Sequence, residues 1–147
     1  MQGITTILGL VAAASMAIAA PANAVSANPA VAQWTIEGFT RTCNAADTSC
    51  TVSFTVDTHA GPSPQTGCSY VVTGSPASQT DVKNPVTCGP YSVTSGWSGQ
   101  FGPGNGFTTW AVVNYAQRLI IFPAYSDSEI KNGVTYTPDK SYSPQTF

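Results

Sequence analysis

Apolar and polar residues alternate strictly across residues 51–58. Val52, Phe54 and Val56 fall on one phase, and Thr51, Ser53, Thr55 and Asp57 on the other. A period of two is the mark of a strand buried on one face, and Cys50 shares the inward phase. Residues 34–42 repeat the pattern with Trp34 and Ile36 inward. The phase slips at Gly38-Phe39, which predicts a β-bulge. Residues 44–49 carry turn chemistry, so the two strands read as a hairpin. Short Val- and Tyr-rich strands are expected at 69–73 and 91–95, stronger ones at 107–115 and 118–122 with a reversal at 114–117, and a last one at 134–137. Leu119, Ile120, Ile121 and Phe122 run without alternation, which predicts burial on both faces. One helix candidate lies at 126–132, where Ser126 and Glu129 have capping-box spacing and Gly133 is a stop. It is barely more than a turn. Short strands, Gly/Pro turns and no long amphipathic stretch predict an all-β fold, a small antiparallel sandwich or barrel with one short helix. Residues 25–33 and 141–147 read as loosely attached ends.

Residues 95–107 break every regular pattern. Five glycines and a proline in thirteen positions form neither a helix nor an uninterrupted strand. Yet Trp97, Phe101 and Phe107 are too large and apolar for a flexible linker, so a compact loop folded on its own aromatics is expected. The loop holds no His, Cys, Lys, Arg or carboxylate. Trp97, Phe101 and Trp110 are the candidate ligand surface, because exposed aromatics stack on sugar rings; core packing is the commoner use of such residues.

Charge narrows the function. Only 8% of residues are charged and the net charge is -2, against about 25% charged residues in an average soluble chain. Scattered basic residues make no phosphate-binding patch, which excludes nucleic-acid recognition. The apolar run at 4–20, followed by Ala22-Asn23-Ala24, predicts a secretory signal over 1–24, removed after Ala24. The run is short for a membrane span, contains Ser15 and meets Pro21. What remains, 25–147, is one extracellular domain, expected to be monomeric and free of the membrane. Cys43, Cys50, Cys68 and Cys88 predict two disulfides in an exported chain. Of three pairings, Cys43–Cys50 with Cys68–Cys88 is favoured, since each joins consecutive strands and closes a short loop. With no C-x-x-C pair and His59 isolated, neither a metal nor a cofactor is expected.

Acid–base chemistry has few candidates. His59 is the lone histidine, and no G-x-S-x-G elbow accompanies it. Among Glu37, Asp57, Asp47 and Asp127 as glycosidase carboxylates, Glu37 and Asp57 share the polar phase of the hairpin and could face each other as a pair, while Asp127 and Glu129 have a local role at the expected helix N-terminus; two solvated strand carboxylates are the plainer alternative. The chain reads as a non-enzyme.

Several stretches together carry a resemblance. They are Trp34-Thr35-Ile36, Cys43-Asn44 with Asp47-Thr48-Ser49-Cys50, Thr87-Cys88-Gly89-Pro90, and the run from Val93 through Trp97 to Thr109. Pro123-Ala124-Tyr125 with Ser126-Asp127, Thr137-Pro138-Asp139 and Ser141-Tyr142 complete it. The chain resembles the small secreted hypersensitive-response-inducing proteins of filamentous fungi, a class of protein elicitors. The resemblance implies a β-rich, doubly disulfide-bonded, non-enzymatic protein that a plant surface receptor perceives, triggering local cell death and defence. It supplies no catalytic or ligand residues. A fungal cell-wall polysaccharide is the alternative partner.

Overall fold

The alternation along the chain becomes two antiparallel sheets packed face to face, described for residues 31–147 in a computed structural model. The expected signal at 1–24 lies outside the described residues. The strands are β1 (Trp34–Cys43), β2 (Ser49–Asp57), β3 (Gln65–Thr73), β4 (Val82–Cys88), β5 (Tyr91–Ser98), β6 (Phe107–Asn114), β7 (Leu119–Ile121), β8 (Ala124–Ser126), β9 (Lys140–Tyr142) and β10 (Gln145–Thr146). One sheet has the order β3-β2-β1-β9 and the other β10-β7-β6-β5-β4, with β8 also paired to β6. The fold is an all-β sandwich.

The inward phases meet as expected. Trp34, Ile36, Val52, Phe54 and Val56 pack with Tyr91, Val93, Trp110, Val112 and Tyr125 in one core. Phe39 stacks on Tyr125 at 4.3 Å between ring centres and meets Trp110 edge-on at 4.8 Å. The Trp110 indole N–H donates to the Tyr70 hydroxyl at 2.8 Å, and burial pushes that phenol up to about 12. The bulge stands where the phase slips. The β1–β2 register shifts between Glu37 and Thr40, and Gly38 has φ +60°, a region glycine enters without a Cβ clash. Past the bulge, Phe39 and Arg41 face inward. Cys43–Cys50 closes the β1–β2 hairpin, and Cys68–Cys88 joins β3 to β4, one edge strand of each sheet.

Several local expectations are corrected. No helix forms at 126–132. The capping bonds are made, from Glu129 N–H to Ser126 Oγ at 3.2 Å and from Ser126 N–H to Glu129 Oε2 at 2.7 Å. The turn then ends because Ile130 enters the core and the Gly133 N–H donates to the Arg41 carbonyl. A single capped turn is too short to propagate. The helical piece among the described residues is a 3-10 turn at Ala77–Gln79. Residues 134–137 form no strand, although the Tyr136 N–H donates to the Phe39 carbonyl at 2.8 Å. Residues 141–147 are not loose: β9 pairs with β1 and β10 with β7, so the last segment crosses between sheets. Both are edge strands with a solvated face, which explains their polar sequence. Phe122 is 47% exposed, so the 119–122 run is not buried on both faces. Finally, β4 went unforeseen because Lys83, Asn84 and Pro85 interrupt its apolar alternation. Proline is tolerated there because β4 is an edge strand whose register is irregular between Val82 and Val86.

Candidate functional site

The glycine-rich segment occupies one end of the sandwich, beside the β1–β2 turn, the β3–β4 connection and residues 127–133. β5 runs into it as far as Ser98, placing Trp97 opposite Thr108. The indole lies close against the backbone of Gly99 and Gly106. A Cβ on Gly99 would approach Trp97 Cη2 to 2.5 Å, and one on Gly106 would approach Trp97 Cζ2 to 2.7 Å. The glycines therefore make room for the ring. Trp97 Nε1 donates to Asp127 Oδ2 at 2.9 Å, and Asp127 Oδ1 pairs with Arg41 Nη2 at 3.0 Å. Arg41 Nη1 donates to the Ser78 carbonyl at 3.0 Å, while the Ser78 N–H and hydroxyl both donate to Asp47. One hydrogen-bonded chain thus ties the glycine loop to the disulfide-closed hairpin across both sheets.

The three candidate aromatics part company here. Trp97 is pinned by Asp127, Phe101 stands 65% exposed at the loop tip against Phe107, and Trp110 is 2% exposed in the core. Trp110 is therefore no part of a ligand surface; its inward phase on β6 puts it between the sheets. Arg41 and the role of Asp127 as its partner escaped the sequence reading, which placed Asp127 at a helix N-terminus. A signal existed: past the bulge, Arg41 falls on the inward phase of β1, and a buried guanidinium requires a carboxylate.

Glu37 and Asp57 do come together. The Gln65 side-chain amide donates to Glu37 Oε2 at 3.1 Å and to Asp57 Oδ2 at 3.4 Å. The His59 backbone N–H donates to Asp57 Oδ1 at 2.7 Å and is the chief cause that holds this carboxyl below its ordinary range. Glu37 is pushed up by desolvation and then by its neighbour Asp57. His59 Nδ1 lies 3.6 Å from Asp57 Oδ1, its Nε2 lies 2.7 Å from Thr35 Oγ1, and Ser141 Oγ is 2.8 Å from that hydroxyl. Hydroxyl, imidazole and carboxylate thus occur in sequence, but along the outer face of a sheet. None of these side chains lines the hollows bordered by Tyr91, Trp97, Trp110 or Asn132. As for metals, Cys43, Asp47 and Cys50 cluster, but the two sulfurs are bonded to each other and offer no thiolate.

At the opposite end the sandwich opens into a groove of about 620 Å³. Its borders are the start of β1 at Trp34, the 58–66 connection, Pro90 and Tyr91 at the β4–β5 turn, and the β6–β7 turn from Asn114 to Leu119. No Asp, Glu, Lys, Arg or His lines it.

The pattern of the family Effector TSP1 matches residues 35–147, from the second residue of β1 onward. A relative from Hypocrea virens (strain Gv29-8 / FGSC 10586), Effector TSP1, is 48% identical over 145 residues, covering 98% of this chain and 97% of the relative. The chain belongs to the Effector TSP1 family. The family is one of fungal effectors, the group to which the sequence resemblance pointed. Its match to this chain takes in both disulfides, the glycine loop with its Asp127 anchor, and most of the groove. The Effector TSP1 likeness is thus a likeness of the whole sandwich.

Proposed function

We propose that this fungal effector is exported, works outside the producing cell, and is perceived by plants with hypersensitive cell death and defence as the response. It acts by being bound rather than by catalysing a reaction. Membership of an effector family is the observation that carries this reading. Glu37, Asp57 and His59 lie on the outer phase of the sheet, with Asp57 itself buried beneath its hydrogen-bond partners, and they line neither the groove nor the hollow beside Trp97, which supports a non-catalytic role. Active sites are ordinarily concave. Among the described residues no helix is long and apolar enough to cross a membrane. Infiltrating leaves with purified protein, folded in one arm and reduced and alkylated in the other, tests the proposal. Necrosis and an oxidative burst are expected from the folded arm alone. A silent folded protein, or equal responses from both arms, would count against perception of a folded surface. Polysaccharide binding through Trp97, Phe101 and Trp110 together has no support, because the three do not share a surface.

A further inference from the structure

We propose that the groove at the end opposite the glycine loop is a binding site for a short neutral saccharide. This assignment is independent of plant perception. The groove's volume, about 620 Å³, falls within the range of small-molecule sites, about 300–1,000 Å³. Its lining mixes amides and hydroxyls, among them Asn114, Gln117, Thr58 and Ser63, with apolar surface from Leu119 and Pro90. A charged ligand would surrender its hydration to a place with no counter-charge, which is costly. A neutral ring bearing hydroxyls on its rim and C–H groups on its faces matches both kinds of lining.

Tyr91 supplies the second, independent observation. It is 4% exposed, lies edge-on to Trp34 at 5.4 Å between ring centres, and borders the groove. Its hydroxyl has no hydrogen-bond partner among the described residues, whereas a phenol so deeply buried ordinarily has one. The unpartnered hydroxyls of Thr108 and Tyr125 are closed off from solvent. Tyr91 instead borders the groove, so a ligand seated there meets its side chain. A saccharide hydroxyl would satisfy the phenol as donor or acceptor.

The walls are held in place beforehand, which lowers the ordering cost of binding. Asn114 Oδ1 accepts the Gln117 N–H at 3.0 Å, fixing the β6–β7 turn. The opposite wall, the 58–66 connection, is tied to the sheet by the His59 contacts to Thr35 and Asp57. The polar cluster on the outer face thereby has a positioning role.

Titrating ¹⁵N-labelled protein with laminarihexaose, chitohexaose and cellohexaose, followed by amide shifts, tests the site. At least one saccharide should move the amides of Ser63, Tyr91, Asn114 and Gln117. Tyr91→Phe, which removes only the hydroxyl, should weaken that affinity about fivefold with an unaltered thermal transition. Ala116→Trp, at the rim, should block binding. Silence with all three saccharides, shifts centred on Trp97 and Phe101, or equal affinity in Tyr91→Phe would each overturn the assignment. So would a free protein whose Tyr91 shows nuclear Overhauser contacts to residues before Val31 and no response to any sugar.

Discussion

At the glycine-loop end, Asp127 receives the Arg41 guanidinium on one oxygen and the Trp97 indole on the other, and Asp81 accepts the Trp97 backbone N–H at 2.9 Å. Asp47 completes the set by gripping Ser78. At the groove end, none of the bordering side chains carries a formal charge. Both ends are built of loops, but the groove end has a single carboxylate, Asp57, holding its 58–66 connection from outside the lining, whereas the glycine-loop end gathers Arg41, Asp47, Asp81 and Asp127. Glycine-rich backbone loses more entropy on ordering than any other. In a chain with 8% charged residues, a group of charges stands where that entropy cost is greatest. The long loop that marks the sequence is therefore held by an internal scaffold, and the plainer end is the one proposed to bind a saccharide.

Removing Arg41 should break this contrast most severely. Arg41→Ala strands Asp127 without its cation and the Ser78 carbonyl without its donor. A loss of about 3 kcal/mol is expected in chemical denaturation, together with loosened amide protection across residues 96–107. A second loss falls nearer the groove. Cys68→Ser combined with Cys88→Ser unlinks the sheets beside the β4–β5 turn and should cost roughly 3 kcal/mol by the same measurement. Gly106→Ala probes the scaffold more gently. Its Cβ would sit 2.5 Å from Asp127 Oδ2 and 2.7 Å from the indole, so a cost of about 2 kcal/mol is expected, with a shifted Trp97 fluorescence. A Gly106→Ala protein as stable as the parent would show that the indole is not clamped.

The smallest effect concerns Glu37 and Asp57, and its sign depends on pH. Asp57 is held low, so its stabilisation is present above its unfolded value and is lost as pH falls through its folded value. Glu37 is held high, so its charged form costs stability at neutral pH, and protonation relieves that cost as pH falls towards 4.5. Glu37→Gln should therefore raise the melting temperature slightly at pH 7 and lose that advantage in acid. A difference of constant size from pH 4 to 7 would contradict the pairing.

Much of the sandwich was legible because half-buried strands write their burial as alternation. The β1–β2 hairpin, its bulge at Gly38 and both disulfide pairings could be read that way. Among the losses are β4, β9 and β10, which bury little on either face and so carry no alternation. The capping box at Ser126 was read correctly as local bonding, but local bonding cannot foresee that Ile130 is drawn into the core. The groove had no signal at all. Its lining comes from the start of β1 and three separate connections, and nothing in the sequence shows that they meet. Trp110 misled for a related reason, since an aromatic side chain looks the same whether its strand face is inward or outward.

That the effector works as a bound surface, without chemistry at its polar cluster, is tested most directly in leaves. Parent protein and a Glu37→Gln, Asp57→Asn, His59→Ala variant would be infiltrated at matched dose, each first shown to be folded by its thermal transition. Necrosis and an oxidative burst of similar strength from both is the predicted result. A variant that keeps its fold and provokes no response, beside an active parent, would contradict the account.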